Sequence, residues 1–396
     1  MAMLSVSPVL KFVDEKGFDE RIITDIAYDY HGRRLATVSA DAVIRIRDLD
    51  DNGVWCVEDG CEIKSAHQGT LWKVDWAHPG FGKQLIATCS QDRTVKIWEE
   101  NSEAAPGNQR GSSAGWLPKG VPRWMGVASL NDSKYGVVDV KFAPRHLGLR
   151  LASASEDGEV RVYKVSDLSS AGAWKLESSF TPSPEEEGRP RGVTCISWCS
   201  SPFLRPLLVV GTKSGSVQVW LSTVAGEGTG KWTQVPVDLP GHRALGVSSV
   251  HWSPQFCTSY DRIATCGGDG RLHVHRLERR GLSTEAWADD VQTVQVKDDK
   301  GETDGLAWSA EFDANGSSLS STDGKTCRTW MSDSEGNWFC TDVFQEVGVR
   351  GGGGGSGDRK LVKANRQEEA VASRSAVQAS TTVAPLQTTA PEILGD

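Results

Sequence analysis

No apolar run in this chain approaches the ~20 residues that a helical membrane span requires, and the mean hydropathy is −0.36. Positive charge is in deficit: 43 Lys and Arg against 52 Asp and Glu leave a net charge of −9. A general nucleic-acid binder carries a basic footprint, so that class is disfavoured. The first residues, MAMLSVSPVLKFVDEK, lack a basic start, are interrupted by Pro8 and offer no clear cleavage site, so no secretory leader is read there. Nine cysteines occur without a single C-x-x-C; Cys195 and Cys199 are four apart, Cys56 and Cys61 five. A zinc ribbon or disulfide framework needs tighter pairing, whereas reduced thiols serve as small core residues. The expectation is a soluble intracellular chain with no membrane insertion and no direct nucleic-acid contact.

The sequences that carry catalysis are missing too. There is no G-x-x-x-x-G-K-[ST], no H-E-x-x-H and no nucleophile elbow. His273 and His275 share one strand face, but no third ligand is evident nearby. No catalytic residue, metal or cofactor is therefore assigned, and the chain is not read as an enzyme.

Glycine and tryptophan are abundant, at 42 and 15 residues, and they mark an internal repeat. Six segments share one pattern: a strand ending in an aromatic, a small-residue strand, a tight polar turn, and a strand ending in an aromatic. The first aromatic column is Tyr28, Trp76, Phe142, Trp198, Trp252 and Phe312. Two residues earlier stand Ile26, Val74, Val140, Ile196, Val250 and Ala310, the alternation of a half-buried strand. The turn column is Asp41, Asp92, Asp157, Ser214, Asp269 and Asp323; six residues later come Arg47, Trp98, Tyr163, Trp220 and His275. In the irregular sixth repeat Trp330 lies seven after Asp323. Asp-Gly pairs at 157–158, 269–270 and 323–324 suit two-residue hairpins with positive φ. A fourth strand candidate follows each third one. Six such four-stranded units with a ~50-residue period predict an all-β, six-bladed β-propeller.

Residues 22–346 are assigned to the propeller and 1–21 to an N-terminal strand segment. Residues 347–396 are read as a Gly-rich linker and tail, too polar to bury a core; the Gly run 351–355 also resembles a designed linker. Since each blade supplies its own four strands, the N-terminal strand is surplus. Either it adds to a sheet edge, or the ring stays open and takes strands from elsewhere.

These columns resemble the WD-repeat family. In that family a turn Asp, a His before the first strand, a Ser or Thr on the second strand and the terminal Trp make a buried hydrogen-bonded set. His67, Ser90, Asp92 and Trp98 fit it best, and Gly241-His242 opens the fifth repeat similarly. Asp41, Asp157, Asp269, Asp323, Trp220 and Trp330 occupy the same columns. A His, a Ser and an Asp invite a hydrolase reading; an internal staple pinning the hairpin is the simpler one.

Three stretches are more specific than a generic WD repeat: DYHGRRLATVSAD, WAHPGFGKQLIATCSQDRTVKIWEE and VKFAPRHLGLRLASASEDGEVRVY. With these the chain resembles the Seh proteins, the Sec-thirteen homologue nucleoporins, over residues 20–345. The resemblance implies an open propeller completed by a blade inserted from a helical scaffold nucleoporin, through strand addition in trans. It implies membership of the Y-shaped nuclear pore complex at the nuclear envelope, alongside the other nucleoporins of that complex. It further implies a place in the SEA or GATOR assembly that tunes TOR signalling at the lysosome or vacuole. Blades one and six would then form the contact, with Leu10, Phe12, Arg33, Arg34, Trp308 and Phe312 as candidate partner-binding residues. The rival readings are a Sec-thirteen-type subunit of the COPII vesicle coat and a generic WD-repeat adaptor with a closed ring.

Overall fold

In a computed structural model of the chain, the described residues are 22–56, 61–101, 123–165, 172–182, 192–202, 204–223, 231–242, 246–254, 259–279, 287–296, 308–323, 326–333, 336–348 and 359–363. The N-terminal segment, with Leu10 and Phe12, lies outside them. The chain divides into two units, Met1–Thr341 and Asp342–Asp396.

The first unit is a six-bladed β-propeller of antiparallel sheets in sequence order. Blade one uses Ile23–Tyr28, Arg34–Ser39, Ile44–Leu49 and the short Trp55–Cys56, with Glu62–Ile63 also on its third strand. Blade two uses Leu71–Trp76, Leu85–Ser90, Val95–Glu100 and Trp124–Leu130; blade three Val137–Phe142, Arg150–Ser155, Val160–Val165 and Trp174–Phe180. Blade four uses Val193–Trp198, Leu207–Thr212, Val217–Ser222 and Trp232–Gln234; blade five Tyr260–Gly267 and Leu272–Arg279 between Val247–Trp252 and Trp287–Gln295. Blade six begins with Ser309–Phe312, Ser318–Thr322 and Thr326–Ser332, and Trp338–Gly348 follows as its fourth strand. The fourth strands fall where the sequence places them.

A register shift near the start of the inner strand recurs in blades one to five, between Ile23 and Asp25, Leu71 and Lys73, Val137 and Asp139, Val193 and Cys195, and Val247 and Ser249. Such a bulge inserts one extra residue and flips the alternation. It therefore brings the residues five, two and zero positions before the aromatic column onto one face. In blade two these are Leu71, Val74 and Trp76, which pack with Ala36, Val38, Ile44 and Ile46 of blade one. The same stacking joins Leu85, Ala87, Cys89, Val95 and Ile97 to blade three's Val137, Val140 and Phe142. Two further clusters join blades three to four and four to five. The core is thus a series of apolar layers between blades.

The turns carry the expected backbone: Gly158 and Gly270 have φ of 84° and 72°. Blades one and two hold Ala42 and Arg93 at the same point, at φ 62° and 73°. In the second unit, Phe344–Gly348 pairs antiparallel with Arg359–Lys363, so strands bracket the Gly-rich run.

Candidate interaction surface

The buried polar set forms in blade two, with one change of membership. His67 Nδ1 lies 2.9 Å from Asp92 Oδ2, and Nε2 lies 2.9 Å from Thr88 Oγ1. The Trp98 indole N–H donates to that same Thr88 hydroxyl at 3.0 Å. The second-strand hydroxyl is therefore Thr88; Ser90 instead accepts the Asp92 amide at 3.1 Å. Burial pushes His67 down to about 4, so the ring is neutral at pH 7. Although burial opposes it, hydrogen bonds from Thr94 and the Gln68 amide bring Asp92 down to about 2. With the neutral ring protonated on Nδ1, facing Asp92, the protons run one way: Trp98 to Thr88, Thr88 to His67, His67 to Asp92.

The substitutions that break the aromatic column keep its hydrogen bond. In blade five, His242 contacts Asp269 Oδ1 at 2.9 Å and Thr265 Oγ1 at 3.0 Å, and His275 Nε2 takes the Trp position 3.1 Å from Thr265. In blade one Arg47 Nη1 donates to Thr37 Oγ1 at 3.0 Å; in blade six Trp330 donates to Ser321 Oγ at 2.9 Å. Where no His precedes the blade, an arginine takes the turn carboxylate: Arg161 on Asp157 at 2.8 Å, Arg328 on Asp323 at 3.1 Å and Arg45 near Asp41 at 3.9 Å. Asp41 also accepts from Ser39. Blade four has no such set; Val210 stands at the hydroxyl position and Trp220 turns to Gln218 Oε1 at 3.1 Å. Among the described residues each of these polar groups has a partner within the fold.

A second series runs around the inner strands. The Val74 amide donates to Asp25 Oδ2 at 3.0 Å, Phe142 to Asp75 Oδ2 at 2.7 Å and Ile196 to Asp139 Oδ2 at 2.8 Å. The Trp252 amide donates to Ser197 Oγ at 3.0 Å, and Phe312 to His251 Nδ1 at 3.1 Å. From blade two to blade six, one inner-strand amide per blade is thus satisfied by a side chain of the blade before it. Burial raises Asp75 to about 6, against the pull of Lys141. Burial also lowers His251, which keeps its ring nitrogen an acceptor.

The layers stop at two faces. Blade one's Ile23, Ile26 and Tyr28 are 38%, 49% and 47% exposed, whereas Leu71, Val74 and Trp76 at the same positions of blade two are 0%, 0% and 8%. On blade six, Ser320, Thr322, Cys327 and Thr329 stand where blade two has Ala87, Cys89, Val95 and Ile97, by the shared pairing of Leu319 with Trp330 and Ile86 with Trp98. Ser320 is exposed and the other three half-buried, in contrast to the sealed aliphatic positions of blade two.

Of the predicted contact residues, Trp308 is 67% exposed while its carbonyl accepts from Ser248 Oγ at 2.6 Å. Phe312 is buried, its ring beside His251 and Trp338. Arg33 is exposed. Arg34 faces inward instead, 2.7 Å from Glu100 and 3.1 Å from Asp48. Arg123 meets the same two carboxylates at 2.7 and 2.9 Å, and the Asn101 amide donates to Arg123 O at 2.8 Å. The Arg34 guanidinium is held within the chain by Glu100 and Asp48, and buried Glu100 needs the pairing.

Sequence reasoning missed Thr88, Ile23 and the inter-blade acceptors. The hydroxyls Thr37, Thr88, Ser153, Thr265 and Ser321 were readable as a column two residues after Leu35, Ile86, Leu151, Ile263 and Leu319. The acceptors were readable as polar residues at alternate inner-strand positions.

Six four-stranded blades with the staple and inter-blade hydrogen bonds, and two end faces left exposed, define a WD-repeat β-propeller. The family pattern described as "WD domain, G-beta repeat" matches residues 60–99 and 232–276. The chain is 32% identical over 352 residues to Nucleoporin SEH1 of Osmerus mordax, covering 85% of this chain and 88% of that protein. It is 31% identical to Nucleoporin SEH1-A of Xenopus laevis and 30% to Nucleoporin SEH1 of Homo sapiens, each over 83% of this chain and 86% of the relative. The chain belongs to the SEH1 nucleoporin family, and it is a structural protein rather than an enzyme.

Proposed function

We propose that this chain is a structural scaffold nucleoporin of the nuclear pore complex, associated there with other nucleoporins and so supporting nucleocytoplasmic transport. Its mode of assembly is blade insertion: a helical scaffold nucleoporin contributes a β-blade that fills the space between blades six and one. The observation that carries this reading is the uncovered leading face of blade one. Ile26 and Tyr28 are each about half exposed at positions sealed elsewhere in the fold, and covering them stabilises a complex by roughly 1 kcal/mol apiece. Membership of the Y-shaped complex, and of a SEA or GATOR assembly regulating TOR signalling at the lysosome or vacuole, is supported by the sequence resemblance alone. Of the predicted contact residues, exposed Trp308 and Arg33 remain candidates beside Ile23, Ile26 and Tyr28, with Phe312 as buried support; Leu10 and Phe12 stay in the proposal on sequence grounds.

The test is affinity capture from extract at high salt, with mass-spectrometric identification, comparing wild type with Ile26→Asp/Tyr28→Asp. Salt screens exposed charge pairs but spares buried strand packing. Wild type should retain a helical scaffold nucleoporin that the variant loses at an unchanged unfolding midpoint. Recovery of a vesicle-coat cage subunit would move the protein to the COPII reading. A clean monomer from wild type would refute blade insertion.

A further inference from the structure

The inter-blade series has five members, and each joins an acceptor side chain to the next blade's amide. Asp25 and Asp139, three residues before the aromatic column, take the amide two before it: Val74 and Ile196. Asp75, Ser197 and His251, one residue before the column, take the amide of the aromatic itself: Phe142, Trp252 and Phe312. Blade six continues the pattern with Glu311, one residue before Phe312. This side chain is exposed, and among the described residues its carboxylate receives no hydrogen bond. The nearby charges of Lys141, His251 and Lys73 hold it below the ordinary glutamate range, so among the described residues it is a charged acceptor that receives no hydrogen bond.

The complementary donors lie on blade one. The Asp29 amide reaches Arg34 O at 2.9 Å, and the pairing continues with Ala27 opposite Ala36 and Asp25 opposite Val38. Antiparallel alternation then turns the Ile26 and Tyr28 amides away from the second strand. These two are the counterparts of Val74 and Trp76. An exposed acceptor at one end of the ring and two outward amides at the other are the two halves of the junctions made between every other pair of blades.

Resting on the blade-insertion reading, we infer that Glu311 binds the incoming inner strand by accepting one of its backbone amides, and that this strand returns acceptor side chains to the Ile26 and Tyr28 amides. The partner segment is thus specified chemically. It is a β-blade from another chain whose inner strand carries Asp, Glu, Ser or His one or three residues before the apolar residue that lies over blade six. Its opposite face is aliphatic, to cover Ile23, Ile26 and Tyr28. A helix has no free mid-segment amide to give Glu311, because its amides are consumed internally. A second copy of this chain would present its own edge rather than an unattached blade. Glu311 is a positioning residue: it fixes the register of the inserted strand, while apolar cover supplies most of the affinity.

The test uses the full chain and, as probe, the purified helical scaffold nucleoporin recovered by the high-salt capture above. A bond to a charged acceptor is worth about 1.5–3 kcal/mol, so Glu311→Ala should weaken binding about 10- to 100-fold. Glu311→Gln keeps a carbonyl acceptor and should lose less than half of that in logarithmic terms. A mutation-free readout accompanies it: hydrogen exchange at the Ile26 and Tyr28 amides, fast in the free chain, should slow at least 100-fold in the wild-type complex. Equal affinity of wild type and Glu311→Ala, or unchanged exchange at both amides in a formed complex, overturns the inference and leaves blade insertion standing. A wild-type chain that binds no such probe overturns blade insertion itself, and this inference with it.

Discussion

Replacing Thr88 with valine tests the polar staple most directly, because it deletes one hydroxyl and preserves shape. Thr88 is fully buried, and its oxygen stands 2.9 Å from His67 Nε2 and 3.0 Å from the Trp98 indole nitrogen. The valine variant leaves a buried ring nitrogen and a buried indole N–H without partners. Each such loss costs about 1–3 kcal/mol; a methyl group packed in the hydroxyl's place returns part of it, so the expected net destabilisation is about 2–4 kcal/mol. Ser90→Ala is the paired control: Ser90 accepts a single amide at 3.1 Å, and its loss should cost about 1 kcal/mol. Blade four bounds the argument, since Val210 occupies the hydroxyl position there in a blade without the His. The cost at Thr88 therefore comes from the His and Trp it serves. The assay is urea unfolding followed by tryptophan fluorescence, with the slope compared between variants to confirm that the same surface unfolds. A Thr88→Val midpoint indistinguishable from wild type, or a larger loss for Ser90→Ala, would refute the directional chain from Trp98 to Asp92.

Acid should destabilise the free chain well above the carboxylate range. Burial brings His67 down to about 4 and His275 to about 3, so the unfolded chain takes up protons that the folded one refuses. Their contribution is complete above pH ~6.5 and is lost as pH falls toward those values; Asp75, raised to about 6, works in the opposite sense. The net loss between pH 6.5 and 4.5 should be about 3 kcal/mol, and a flat urea midpoint over that interval would contradict it. Ala42→Gly and Arg93→Gly relieve left-handed backbone at φ 62° and 73° and should each stabilise by about 0.5–1 kcal/mol; lower thermal midpoints would count against the turn assignment. Among the described residues, Arg123→Ala leaves Glu100 and Asp48 paired with Arg34 alone and should cost about 3 kcal/mol, read by the same urea titration with Arg33→Ala as the neutral comparison.

The propeller was legible because its period is written in residues whose chemistry permits few alternatives. An aromatic at the end of the first strand recurs six times, and an Asp at the hairpin five times. The staple was legible as a type but not in its member. Ser90 and Thr88 both sit on the second strand, and only the pairing of Ile86 with Trp98 places Thr88 under the indole. Arg47 and His275 looked like departures from the column, yet both hydrogen-bond with the hydroxyl that the indole would have reached. Identity changed while the hydrogen-bonding role did not. Arg34 was misleading for a different reason: one of its two carboxylate partners, Glu100, lies 66 positions further on, in the next blade. The uncovered face was hidden because Ile23, Ile26 and Tyr28 match the apolar pattern of every other inner strand. Whether an apolar column is covered depends on the neighbouring blade, which no local pattern records.

The amide of Asn101 meets the carbonyl of Arg123, so the two ends that flank the 21 residues between them are clamped together as one anchored gate. Chain length inside such a gate is thermodynamically cheap, since doubling a flexible loop costs only about 0.6 kcal/mol. The gate makes 102–122 the natural port for a fluorescent domain, an affinity tag or a protease site. A label grafted there would follow the protein into its assembly while the faces of blades one and six stay unaltered.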